Sequence, residues 1–279
     1  MRVEGSPLLL CSRLELLLAV RSRWTQIFAL VFAGLSLAVA VSGYILSGGR
    51  GIQDFSRTAA SLVQLVLLLV PLTSLVLGVL SLTPERGASE LLFSQPVSRG
   101  TLLLGRLLGL FQALAAAQAV GFGAAGLVVF SRAGEEGVGG FVLLVLGSLS
   151  ITAVFLGIAA LIAFGSPGRR TRPLALALVV WFVAVLLYDV AALGIASLLP
   201  SGRASRLLIL AVLLNPVDAV RTGTLLGIEG TAAFGAASLA FLRFTRGAGN
   251  AAWLLALSLL VWLVLPTALA VWRLKKVDL

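Results

Sequence analysis

The chain of 279 residues contains no histidine, a single cysteine (Cys11), no methionine after Met1, and two lysines, Lys275 and Lys276, both near the C-terminal end. Each scarcity excludes a kind of chemistry. One cysteine forms no intrachain disulfide. Without histidine there is no Ser-His-Asp or Cys-His arrangement, and no paired-carboxylate constellation stands in for it, so no catalytic residue is expected. A P-loop needs a lysine placed by a Gly-rich turn to reach phosphates. Neither lysine follows such a turn, which assigns ATP hydrolysis by that route to another polypeptide. Thiolate, thioether and imidazole, the usual copper ligands, are absent from the long apolar runs, and no metal site is expected there.

Charge is scarce too. Charged residues make up 11% of the chain and hydrophobic ones 59%, with a mean hydropathy of +1.10, whereas a soluble domain carries roughly a quarter charged residues. Several runs exceed the roughly 18 apolar residues of a membrane-crossing helix. The formal net charge of +10 sits in short pieces between these runs. No basic stripe carries interleaved aromatics, so the charge reads as topogenic and nucleic acid is not an expected partner.

The predicted fold is an all-α integral membrane protein, a single domain over 1–279. Residues 1–23 form an interfacial helix whose charges, Arg13, Glu15, Arg21 and Arg23, face outward. Six spans are expected at about 24–46, 61–82, 107–130, 141–164, 174–199 and 251–272. The first apolar stretch is longer than a signal-peptide core and lacks a small-residue cleavage site, so it reads as a span. Every span must be helical, because an open strand edge leaves backbone groups unpaired in lipid. Residues 200–250 are too polar and Gly-interrupted to cross; short extracytoplasmic helices on or near the membrane are expected instead. With both termini cytoplasmic, thirteen of the 21 basic residues fall on that side, three of them in the tight turn with Arg169, Arg170 and Arg172. That places the chain in the cytoplasmic (inner) membrane, in contact with its lipids.

Residues 83–106 hold most of the motif content. They include Pro84-Glu85-Arg86-Gly87-Ala88-Ser89-Glu90-Leu91-Leu92-Phe93-Ser94-Gln95-Pro96-Val97-Ser98-Arg99, followed by Gly105-Arg106-Leu107-Leu108-Gly109 at the third span. Pro84 suits the first turn of a short helix with Glu85 at its positive end, and Pro96 reorients the chain. The stretch resembles the signature of type-2 ABC transporter permeases, and Gln95-Pro96 brings it nearest to the NosY-like branch, permeases of nitrous oxide reductase maturation systems. Leu187-Tyr188-Asp189 and Asn215-Pro216-Val217-Asp218-Ala219-Val220-Arg221 are compatible with it. The resemblance implies a homodimer driven by a cytoplasmic ABC ATPase dimer, which binds ATP and Mg, leaving no cofactor in this chain. Glu85, Arg86, Glu90 and Arg99 would lie in or beside the coupling helix that docks on the ATPase. If the chain handles no bare copper, its task is moving another solute or doing conformational work on a periplasmic protein.

Polar residues within spans are costly and therefore informative. Asp189, beside Tyr188 in span five, reads either as lining a translocation path or as pairing with a neighbouring helix. Gln64, Gln112 and Gln118 read as helix-joining amides before they read as cargo contacts. Asn215 is a fitting N-cap for a helix opened by Pro216, with Asp218 and Arg221 on one face. That helix either lies capped on the membrane or docks an extracytoplasmic protein. Two alternatives remain beside the permease of the maturation system: an exporter of lipid, peptide or drug, and a scaffold that transmits conformation without passing solute.

Overall fold

Proline at the first position opens α1 (Pro7–Arg21), and Ser22, in an extended conformation, ends it. The chain turns there into α2 (Arg23–Leu46). The computed structural model describes residues 6–46, 52–83, 97–133, 138–165, 171–229, 241–242 and 244–276. Its further elements are α3 (Ile52–Leu82), α4 (Arg99–Ala133), α5 (Val138–Gly165), α6 (Thr171–Phe182), a π-helical turn (Val183–Leu187) leading into α7 (Tyr188–Ser197), α8 (Ser201–Leu214), α9 (Pro216–Glu229) and α10 (Ala248–Lys276). Among the described residues there is no strand.

Six of these segments are long and apolar enough to cross a bilayer: 23–43, 57–82, 99–131, 138–165, 171–197 and 248–276. They overlap the six expected from composition. The helices run past the apolar stretches because polar end turns continue the same hydrogen-bond ladder. The 35 residues of α4 rise about 52 Å, well beyond a hydrocarbon core of about 30 Å. The excess leaves end turns of α4 outside that core.

Helix α5 is apolar on every side and fills the centre, packed on α3, α4, α9 and α10. Around it, α2 lies on α4 and α3, and α6 on α3. Phenylalanines stitch α2, α4 and α5 together: Phe32 meets Phe122 edge-on at 5.2 Å between ring centroids, and Phe141 meets Phe130 at 5.2 Å. Such edge-to-face pairs add to the area they bury.

Two placements differ from the sequence expectation. Helix α1 does not turn all its charges outward: Arg13 and Arg21 are exposed, but Glu15 is only 7% exposed. It faces the bundle because α4 offers Arg106 there. The second concerns α8 and α9, which meet at Asn215 at 99°, with α9 packed into the bundle against α5. Val217, Ala219 and Val220 of α9 are buried, and Thr224 and Val220 approach Gly147 of α5, where a Cβ would stand 2.7 Å from the Thr224 hydroxyl. Small residues on both helices bring the pair into the bundle. Asn215 donates to the carbonyl of Ala184, thirteen residues into the fifth span, or about 20 Å along it. The elbow therefore sits level with the middle of that span.

Candidate functional site: two polar joints

Ser98 caps α4. Its hydroxyl accepts the Thr101 amide at 3.1 Å, which fixes where the helix begins after the loop. The next residue, Arg99, donates from Nη1 to the carbonyl of Leu274 at 3.1 Å and ties the start of α4 to the end of α10. Glu85, Arg86 and Glu90 lie outside the described residues. The two stems of their loop are described, and both meet α1.

The carboxylate of Glu15 stands between those stems. Arg106 Nε donates to Glu15 Oε2 at 3.0 Å, the Ser81 hydroxyl donates to Glu15 Oε1, and Arg106 Nη2 donates to the carbonyl of Ser81. One acid on α1 thus links the last turn of α3 to the early turns of α4. Close approach makes this possible. At Gly105 a Cβ would lie 2.7 Å from Cys11 Cβ and 2.9 Å from the Leu8 carbonyl, and at Gly109 it would lie 2.7 Å from Glu15 Cβ. The Gly-x-x-x-Gly spacing is the small-residue seam by which membrane helices bring their backbones together. Ser12 adds a second tie, donating to Gln112 Oε1 at 3.2 Å. A cavity of about 320 Å³ opens beside the clamp, lined by Glu15, Thr25, Ser81 and Arg106 among others.

The second joint is deeper. Tyr188, Asp189, Asn215, Asp218 and Arg221 come together from α7, the elbow and α9. Arg221 Nη1 donates to Asp189 Oδ2 and, at 2.9 Å, to Asp218 Oδ1. Asn215 Nδ2 reaches Ala184 O at 2.8 Å and Asp218 Oδ2 at 3.3 Å, while Asn215 Oδ1 accepts the Val217 amide at 3.1 Å, as its N-cap position predicts. The Tyr188 hydroxyl donates to Ala211 O at 3.1 Å. The π turn matters here, since such turns disturb the regular i to i−4 ladder, and Ala184 inside it receives an amide from another helix. Sequence reasoning treated Tyr188 and Asp189 apart from Asn215, Asp218 and Arg221; the fold joins them. Two carboxylates share one guanidinium, so the joint is polar and asymmetric, and Arg221 Nε is buried without a hydrogen-bond partner among the described residues.

The three glutamines have different surroundings. Gln118 is 1% exposed; its amide donates to Thr152 Oγ1 at 2.8 Å and its carbonyl accepts the Ser148 hydroxyl at 2.6 Å. That pairing fastens α4 to α5. Gln112 holds α1, and Gln64 is exposed on α3. The residues that the sequence reading did not single out are Glu15, Ser81 and Arg106. A trace was present: a lone acid in a Leu-rich helix and an arginine set between two glycines four residues apart. Among the described residues no group of three or more His, Cys, Asp or Glu is placed to hold a metal.

Six helices long and apolar enough to cross a membrane, a clamp between α1, α3 and α4, and a polar joint between α7 and α9 define a multi-pass membrane protein whose charged groups work as joints between helices. The chain belongs to the ABC-2 transporter family: the family model described as "ABC-2 family transporter protein" matches residues 11–279. It is 35% identical to the "Probable ABC transporter permease protein NosY" of Pseudomonas aeruginosa over 235 residues, covering 82% of this chain and 85% of that one. It is 34% identical to a protein of the same name from Stutzerimonas stutzeri over 236 residues, again 82% and 85%. The protein is a transmembrane permease subunit of an ABC transporter, and the ATPase of such a system is a separate chain.

Proposed function

We propose that loop 83–106 is the coupling element of this permease, with Glu85, Arg86 and Glu90 docking on a cytoplasmic ABC ATPase dimer that binds ATP and Mg. The clamp at Glu15, Ser81 and Arg106 carries the reading. A loop can pass force into the bilayer only if its stems move together, and an acid bonded to both stems supplies that constraint. Movement then enters α3 and α4 as one unit, with α1 as a brace along the membrane surface. A second copy of the chain completes the dimer. Its area of contact is sought on the fifth span, of which 11% is buried within the chain against 56% for the second.

The work done on the far side is proposed to be conformational, on a periplasmic protein of a nitrous oxide reductase maturation system, or movement of a solute other than bare copper. The two NosY-named relatives favour this reading over an exporter of lipid, peptide or drug, and a sequence with no histidine and no methionine after Met1 argues against bare copper as the cargo. The discriminating experiment reconstitutes the permease with its ATPase in vesicles and measures ATP turnover, solute movement and capture of the periplasmic partner together. Turnover dependent on the partner without solute movement supports conformational work. Turnover stimulated by a transported solute, indifferent to the partner, would falsify it.

A further inference from the structure

Between α4, α5 and α10 runs an apolar groove of about 660 Å³, within the usual size range of small-molecule sites. Leu107 and Phe111 form one wall, Leu156 the floor, and Val264, Ala268 and Val271 the other wall. Thr267, also on the lining, uses its hydroxyl internally, donating to the Leu263 carbonyl at 2.7 Å. The groove therefore offers no free hydroxyl to a polar cargo along its length. One end is different. Lys275 and Trp272 stand at the mouth, and Lys276 lies over the Trp272 ring, 3.9 Å from its centroid. Arg273 belongs to the same last turn of α10 and is packed against Gly165.

We propose that this groove is a binding site for an anionic phospholipid of the leaflet on the C-terminal side, with one acyl chain between α4 and α10 and the headgroup on Lys275. Three observations select this occupant. From Leu263 to Lys275 the groove follows twelve residues of α10, about 18 Å of rise, against about 15 Å for one leaflet of a 30 Å hydrocarbon core. Its only charged lining residue, at the mouth, is a cation, and basic residues beside a membrane helix attract anionic headgroups. Trp272 sits at the same level, where indole rings favour the headgroup boundary. The proposal stands whether or not loop 83–98 couples to an ATPase.

The test titrates the purified full chain, in maltoside detergent, with dioleoyl phosphatidylglycerol or dioleoyl phosphatidylcholine and counts bound lipids by native mass spectrometry. The wild type is expected to retain phosphatidylglycerol about fivefold over phosphatidylcholine, the factor expected of one interfacial basic residue. Lys275→Gln should abolish the preference while keeping the adducts, and Ala268→Phe, which fills the groove, should remove both lipids. Lys275 is exposed, so its variant decides the matter even if Ala268→Phe fails to fold. Equal retention of the two lipids by the wild type, or an unchanged preference in Lys275→Gln, overturns the proposal. So does disulfide-linked dimer formation through Val264→Cys in a Cys11→Ser background, which would give the groove to a second copy.

Discussion

Removing Arg106 should damage the protein more than removing Glu15, although the two share one ion pair. Glu15 has 9% side-chain exposure and Arg106 has 21%. Arg106→Ala strands a carboxylate that keeps only the Ser81 hydroxyl, and breaking a buried pair from one side costs about 3–5 kcal/mol. In Glu15→Ala the guanidinium keeps the Ser81 carbonyl, and its long stem can carry the charge toward the headgroups. The expected loss there is about 1.5–3 kcal/mol, that of a hydrogen bond to a charged group. The double variant leaves nothing stranded and should be more stable than Arg106→Ala alone. A double-mutant cycle should therefore give a coupling energy above about 1 kcal/mol. Unfolding can be followed by intrinsic fluorescence of the five tryptophans in nanodiscs of fixed lipid composition. Equal losses in the two single variants, or losses that simply add, would show that Glu15 and Arg106 do not face each other in a dry site.

Other consequences are equally direct. Gly109→Val should detach α1 from α4 and cost about 1–3 kcal/mol as an overpacked contact; insertion should survive, and Cys11 should become more reactive toward a thiol label. Asn215→Ala removes a cap and an amide bond to Ala184 O, about 2 kcal/mol together, and should raise hydrogen exchange in α9 while leaving the exchange of α1 unchanged. Asp189→Asn keeps the shape of the joint but removes one of the two carboxylates on Arg221; it should lower thermal stability relative to the wild type, and equal stability of the two would mean that the ion pair contributes nothing. Charge reversal at Glu85 and Glu90 together should abolish stimulation of the ATPase without unfolding the bundle, and normal ATPase binding and turnover in that variant would end the coupling proposal.

The spans were legible because lipid imposes one rule on every residue of a crossing helix, so a local average of hydropathy finds them. Asn215 was legible for a related reason: capping depends on residues two and three positions away, and Val217 does bond to its side chain. Glu15 was not, because its orientation depends on Arg106, ninety-one positions later. The depth of the α8–α9 elbow was hidden likewise. Residues 200–250 are polar enough on average to suggest a surface, and only the pairing of Asn215 with Ala184 and of Arg221 with Asp189 draws the start of α9 inward.

Composition and the order of apolar runs by themselves determined that this chain lives in lipid, that it is helical, and that it crosses about six times; they also removed a P-loop ATPase site. These follow from solvation, which acts on each segment separately. Only the tertiary structure decided which charges meet, that α1 bonds to both stems of loop 83–98, and that three helices leave an apolar groove ending in a lysine. Those are properties of distance between segments, and in a bundle held by small-residue seams a single glycine or serine sets that distance.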